Sequence, residues 1–271
     1  MIRLEGVGLH GGGRCAIELS RASGPTTFVA DGDSASLAEL SIVRADRGVC
    51  VRLGGEGRRT IDLVEHALAA IGAARVFRGL RVAVEGGEVP LLDGGARAIA
   101  NALAALELAE SPPPLRIVRH FEVTIDGSRY GMTPAPAPEV ETVIDFAHPA
   151  IGRREASWRG DREDFLHRIA PARTFGFRSE HAALLASGRA RAVDLRAVVV
   201  LDDDAVASDA FAGDDEPARH KLLDLIGDLA LFGGPPCGLV RAERPGHART
   251  HRAVRHGIEV GALVVDPPDP R

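Results

Sequence analysis

The sequence predicts an α+β fold built from two similar layered units, and three observations lead there. The chain has 271 residues, more than one core of average size and about right for two domains. Ser111-Pro112-Pro113-Pro114 forms a stiff break, because consecutive prolines stop a helix and hold the chain extended. On either side of that break, strand-like segments are grouped with helix-like ones, the pattern of sheet layers with helices packed on them. The units are therefore taken as residues 1–112 and 113–271.

In the first unit, residues 15–19 and 50–53 are apolar runs of strand length. A helix is expected over 61–71, a strand over 80–84 and an Ala- and Leu-rich helix over 96–110. In the second, residues 115–118 and 121–125 alternate as strands do, with a turn at Asp126-Gly127. A strand over 139–145, a helix over 162–169 and a strand over 197–201 follow, then a helix over 217–231 and a strand over 239–241. The two lists run alike, which hints at an internal duplication, although no short repeat is visible.

Composition excludes several function classes. The formal net charge of −5 gives no reason to expect nucleic acid as a partner. No run of about 18 apolar residues is present to span a bilayer, and the start lacks the basic and apolar regions of a signal peptide. Cys15, Cys50 and Cys237 are widely spaced and odd in number, unlike a disulfide framework or a thiolate metal site. A cytoplasmic chain acting on a small molecule is expected. One bias stands out: of 33 lysines and arginines, only Lys221 is lysine. An ammonium and a guanidinium are not interchangeable, so a lone lysine in an arginine-rich chain points to a position that needs one.

The helix over 217–231 carries the densest chemistry. Pro217 suits a first turn, and Asp214 to Glu216 place negative charge at the helix start. His220, Asp224 and Asp228 lie at i, i+4 and i+8 and share one face, while leucines and Ile226 cover much of the rest. Carboxylates on an otherwise apolar helix need a partner, and a metal held by His220 and Asp224 would be one. The plain alternative is a solvent-facing polar stripe, which an isolated H-x-x-x-D favours. Glu65-His66 on an earlier helix offers a further ligand with a carboxylate beside it, the arrangement a general base needs. His247, in a late Pro-Gly loop, becomes interesting if folded next to Asp228, which would hold it as imidazolium. His251 and His256 fall in an arginine-rich stretch read as solvated.

Seven blocks in order carry a resemblance. They are Gly6-Val7-Gly8-Leu9-His10, Val64-Glu65-His66, and Glu88-Val89-Pro90-Leu91-Leu92-Asp93-Gly94. Asp145-Phe146-Ala147-His148-Pro149 and Ala172-Arg173-Thr174-Phe175-Gly176-Phe177 come next. Residues 219–228 and Gly246-His247-Ala248 complete the set. Together they resemble the UDP-3-O-acyl-N-acetylglucosamine deacetylase (LpxC) family over nearly the whole chain. The resemblance implies two α+β domains with the active site between them. It implies Zn2+ as cofactor, held by His66, His220 and Asp224, with Glu65 as general base and His247 as general acid partnered by Asp228. It makes Thr174 an oxyanion donor, Lys221 a substrate and charge-stabilising group, and Phe175, Phe177 and Glu180 substrate-lining. The implied partner is a UDP-linked acylated amino sugar, met by a monomer without stable membrane insertion. Departures from the family pattern include Ala192-Val193-Asp194, where small or hydroxyl residues are usual, in the insert that shapes the acyl-chain passage. Two rivals follow: a silent relative that binds a nucleotide sugar without turnover, and an enzyme for another N-acetylated nucleotide sugar.

Overall fold

A computed structural model describes residues 1–202 and 211–266. In Arg78–Glu85, alternation turns Leu80, Val82 and Val84 to one face, and all three are buried. That strand is the centre of a five-stranded sheet ordered Ile2–Val7, Arg14–Pro25, Arg78–Glu85, Thr27–Ala30, Asp33–Ser36. Neighbours are antiparallel except Arg78–Glu85 with Thr27–Ala30, which run parallel. The second five-stranded sheet is ordered Phe121–Ile125, Ser128–Thr133, Gly238–Glu243, Pro138–Asp145, Arg153–Trp158. Here too one pair alone is parallel, Gly238–Glu243 with Pro138–Asp145.

Numbered within its own half, each sheet has the order 1-2-5-3-4 with strands 5 and 3 parallel. The helices repeat as well. Among the described residues α1 (Glu65–Ala73) precedes strand 5 of the first sheet and α2 (Arg97–Ala105) follows it. In the second half come α3 (Arg162–Asp164), which runs on into a π-helical turn at Phe165–Ile169, and α4 (Arg178–Ala186). Then α5 (Glu216–Ala230) precedes strand 5 and α6 (His247–Glu259) follows it. Each half carries an insert between its strand 4 and the next long helix. In the first it is a small sheet of Leu40–Ala45, Val49–Leu53 and Thr60–Ile61. In the second it is Thr174–Phe177 paired in parallel with Val198–Leu201, with α4 between them. The duplication hinted at by the element lists is thus present in the topology.

The halves meet where α1 packs on α5. A Cβ on Gly227 would fall 2.1 Å from the Glu65 carbonyl oxygen, so the helices cross with backbones in contact. Glycine in a helix interior costs about 1 kcal/mol relative to alanine, and here its bareness is what lets the start of α1 reach α5. Leu68 and Ile71 of α1 and Leu222, Leu225 and Leu229 of α5 belong to one continuous buried cluster that reaches both sheets.

Some boundaries differ from the sequence expectation for local reasons. The helix expected over 61–71 begins at Glu65, because Thr60–Ile61 pairs with Val49–Leu53. Leu63 has φ 55°, a left-handed conformation that a right-handed helix cannot pass through. The helix expected over 96–110 ends at Ala105, just before Glu107 at φ 47°. No helix among the described residues is long and apolar enough to cross a membrane.

Candidate metal centre

Helix α5 is buried along its whole length except at Lys221. A solvent-facing stripe is therefore excluded: His220, Asp224 and Asp228 lie inside the protein. Three donor atoms converge there. His66 Nε2 is 3.5 Å from Asp224 Oδ1, and His220 Nε2 is 3.6 Å from the same oxygen. The ligand atoms of the three residues all lie within 4.8 Å of one another. Asp224 Oδ1 is buried and accepts no hydrogen bond among the described residues, while Oδ2 accepts from Lys221 Nζ at 2.8 Å. An unpaired buried carboxylate oxygen is costly, and a cation between the two imidazoles would satisfy it.

The surroundings prepare His220 and Asp224 as donors. His220 Nδ1 donates to the Ala172 carbonyl at 3.1 Å, which leaves the Nε2 lone pair facing the centre. Burial pushes the His220 imidazole down to about 4, so at neutral pH it is the uncharged form a ligand must be. Burial opposes charge on Asp224 too, but Lys221, His220 and His247 outweigh it and hold the carboxyl well below its usual range. Two imidazole nitrogens and a carboxylate oxygen, with the second imidazole nitrogen of one ligand tied to a carbonyl, fit zinc.

The acid and base candidates stand close by. Glu65, at the first turn of α1, accepts from the Val49 N–H through Oε2 at 2.9 Å. Room for it comes from Gly48, whose φ is 130° and whose added Cβ would meet Leu63 at 2.4 Å and Glu65 Oε1 at 3.1 Å. His247 is the first residue of α6, not part of a loop. Its Nδ1 is 2.9 Å from Asp228 Oδ1, and its Nε2 is 3.9 Å from Asp224 Oδ2. Burial disfavours the imidazolium, but Asp228 and Asp224 more than offset this and push His247 up to about 10. Burial likewise works against the Asp228 charge, and His247 and His251 win, keeping that carboxyl below its usual range.

Thr174 is held from two directions. Its N–H donates to the Gly94 carbonyl at 2.8 Å. The preceding residue, Arg173, bonds Glu216 at the start of α5 through its backbone N–H and Nε, each at 3.0 Å. Ala172 and Thr174 are thereby fixed against α5. The Glu88 carboxylate accepts from the backbone N–H groups of His10 and Gly11 at 2.7 and 2.9 Å, which ties two of the sequence blocks to each other.

Of the eleven residues singled out in the sequence, ten line one cleft of about 440 Å³, and Asp228 stands behind His247. A second cleft of about 360 Å³, lined by Leu184, Val193, Leu195 and Val198, shares Thr174, Phe175, Phe177 and Glu180 with the first. Val193 thus faces the second cleft, whereas Asp194 turns outward to pair with Arg196. Phe175 carries the Lys221 ammonium 5.6 Å from its ring centre and packs on Phe146 at 5.6 Å. Glu180 accepts from Arg47 at 2.7 Å across the cleft.

The sequence reading is corrected at His251. It was expected to be solvated, yet it is 2% exposed and its Nε2 lies 2.8 Å from Asp228 Oδ1. The arginines between misled; the i, i+4 spacing from His247 was the usable signal. Arg47 and Arg249 also line the cleft, and nothing in their sequence context marked them among so many arginines.

Residues 1–258 match the family described as UDP-3-O-acyl N-acetylglycosamine deacetylase (LpxC). A protein of Myxococcus xanthus named UDP-3-O-acyl-N-acetylglucosamine deacetylase is 37% identical over 261 residues, covering 93% of this chain and 82% of that protein. Proteins of the same name from Brucella melitensis biotype 2 and Brucella ovis are each 35% identical over 264 residues, covering 94% of this chain and 91% of theirs.

Proposed function

The chain belongs to the UDP-3-O-acyl N-acetylglycosamine deacetylase family, and from that premise we propose that it hydrolyses the acetamide of UDP-3-O-acyl-N-acetylglucosamine, releasing acetate, as a zinc enzyme of lipid A synthesis. The observation that carries the reading is the buried, unpaired Asp224 Oδ1 facing His66 and His220, with Glu65 and His247 lining the same cleft. The reading takes the site as lying between units 1–112 and 113–271 of a cytoplasmic monomer.

His66, His220 and Asp224 would hold the zinc. When bound there it supplies Lewis acidity, polarising the amide carbonyl and bringing the pKa of water down to roughly 7. Glu65 takes the proton from the attacking water as the tetrahedral carbon forms. The Thr174 hydroxyl donates to the developing oxyanion, and the Lys221 ammonium adds positive charge beside it. His247 enters the cycle protonated, because Asp228 and Asp224 hold it so, and gives its proton to the leaving amine. A binding protein has no use for a base and an acid placed together, so the silent-relative reading gains nothing from this cleft. The cleft shared with Phe175, Phe177 and Glu180 receives the acylated sugar, and the second, more apolar cleft accounts for an acyl chain.

The test is acetate release from UDP-3-O-acyl-N-acetylglucosamine by metal-free and zinc-loaded protein. The reading expects release that depends on added zinc and is lost in His220→Ala together with zinc binding. Turnover by the metal-free protein, or none by the loaded one, would reject it.

A further inference from the structure

Asp228 serves two histidines through one oxygen. Its Oδ1 is 2.9 Å from His247 Nδ1 and 2.8 Å from His251 Nε2, and the two rings stand one turn apart on α6. Both Asp228 and His251 are 2% exposed. His251 Nδ1 is buried and has no hydrogen-bond partner among the described residues. A proton on that nitrogen would be an unsatisfied buried donor, a costlier state than an idle lone pair. Nε2 is therefore the nitrogen that carries the proton and donates to Asp228. Phe232, 5.7 Å away between ring centres, packs on it.

We propose that His251 is a positioning residue for the reaction: through the shared Asp228 Oδ1 it fixes the ring of His247 so that Nε2 points into the cleft. A carboxylate has a broad terminal torsion, and with one donor it can turn about that bond. With two donors from a rigid helix on the same oxygen it cannot. His247 is then aimed by a carboxylate that is itself aimed, the arrangement in which a third group orients an acid–base pair. The inference rests on the reading of His247 as the proton donor.

The experiment compares His251→Leu, which removes the donor, with His251→Gln, whose side-chain amide can still donate to Asp228. Steady-state kinetics of the zinc-loaded enzyme are expected to show kcat about tenfold lower in the leucine variant, since small misplacements at a reacting group are costly. KM should stay within about twofold, and zinc content should not change. Glutamine should restore most of kcat. In an Asp228→Ala background the leucine change should cost nothing more in kcat, because the group it works through is gone. In the metal-free protein, histidine labelled with the heavy nitrogen isotope should show His251 as the Nε2–H tautomer. Equal losses in the leucine and glutamine variants, additive losses in the double variant, or the other tautomer would overturn the proposal. If the leucine variant does not fold, His251→Asn, too short to reach Asp228, takes its place against glutamine. Should His247→Ala and Asp228→Ala keep near-full rate, the proton-donor reading itself falls. Should they lose it while the His251 variants do not, only this inference falls.

Discussion

The two halves share a strand order and place a long helix in the same slot, yet α1 and α5 do different work. Helix α1 is nine residues long and brings chemistry only at its start, Glu65 and His66. Helix α5 is fifteen residues long and lines up His220, Lys221, Asp224 and Asp228 along its length. The inserts differ in the same way. The first is a compact small sheet that reaches the cleft with Asp46, Arg47 and Gly48; the second is an open pair of strands with α4 and supplies Thr174, Phe175 and Phe177. Among the described residues two ion pairs join the inserts, Arg47 with Glu180 at 2.7 Å and Arg189 with Asp46 at 2.6 Å. A duplicated scaffold thus gives two matching places from which to face one site. The residues put on them are not duplicated, which suits the proposed hydrolysis, with one base and one acid.

The sharpest break in that comparison is to remove one of the proposed proton-handling groups from each half. Glu65→Ala and His247→Ala should each keep zinc and lose about 10²–10⁴-fold in kcat. A variant with near-full rate would strip that residue of its role. Their pH profiles should differ. If His247 is the proton donor proposed, the rate needs it protonated, so the wild type should fall off as pH rises through about 10, and His247→Ala should lack that limb. Stability carries the same sign. With the folded pKa at about 10 and the unfolded one near 6.5, the stabilisation from the His247 charge is complete below about 6.5 and is lost as pH rises through about 10. Denaturant unfolding of metal-free wild type and His247→Ala on both sides of that window should show the difference, and parallel pH dependences would refute it.

The helix crossing comes next in size. Gly227→Ala would set a methyl 2.1 Å from the Glu65 carbonyl oxygen, a clash with backbone that only a helix shift relieves. Overpacking typically costs 1–3 kcal/mol and the helix-propensity gain returns about 1; with backbone met at 2.1 Å the upper end applies, a net loss of up to about 2 kcal/mol. Zinc affinity should fall as well, because the shift carries His66 away from α5. Gly72→Ala is the control at the far end of the same crossing. Its Cβ meets the Ala230 methyl at 2.8 Å and Pro235 at 3.0 Å, away from the ligands, so it should lower stability and leave zinc affinity alone. Equal zinc affinity in the two variants would show that the crossing does not position His66.

What the sequence made legible follows from how local each signal was. The α5 face was readable because acidic residues at i+4 spacing broke an apolar helix, and burial of that whole face bears the contrast out. The α+β class was readable from strand and helix patterns, but the 1-2-5-3-4 order was not. It depends on Thr27–Ala30 pairing in parallel with Arg78–Glu85, about fifty residues on, which no local pattern records. Glu65 beside His66 already suggested a base, but a lone Glu-His pair is non-specific, and Thr174 as an oxyanion donor came only with the family resemblance, since a lone threonine says nothing. His251 was missed because Arg249, Arg252 and Arg255 gave its stretch a solvated look. On α6 those arginines fall on other faces, and the histidines at 247 and 251 turn inward together.

The smallest expected effect concerns the one position where α5 departs from the arginine habit of the chain. Lys221 is the only lysine, and its ammonium lies between Asp224 Oδ2 at 2.8 Å and the Phe175 ring at 5.6 Å. An ammonium is a point donor and takes one oxygen. A guanidinium is a planar fork that prefers both oxygens of a carboxylate. In Lys221→Arg the fork would compete for Oδ1, the oxygen left without a hydrogen bond and proposed as the metal ligand. It would also need more room beside Phe175, whose ring lines the substrate cleft. The variant should therefore fold, bind zinc severalfold more weakly, and lose at least about tenfold in kcat/KM at saturating zinc, about 1.4 kcal/mol. Lys221→Met, which keeps the stem without the charge, separates the two causes: it should bind zinc more tightly than the arginine variant because nothing then contends for Oδ1. If Lys221→Arg works within twofold of wild type, position 221 needs only a positive charge, and the lone lysine carries no message about how α5 divides Asp224 between its neighbour and the metal.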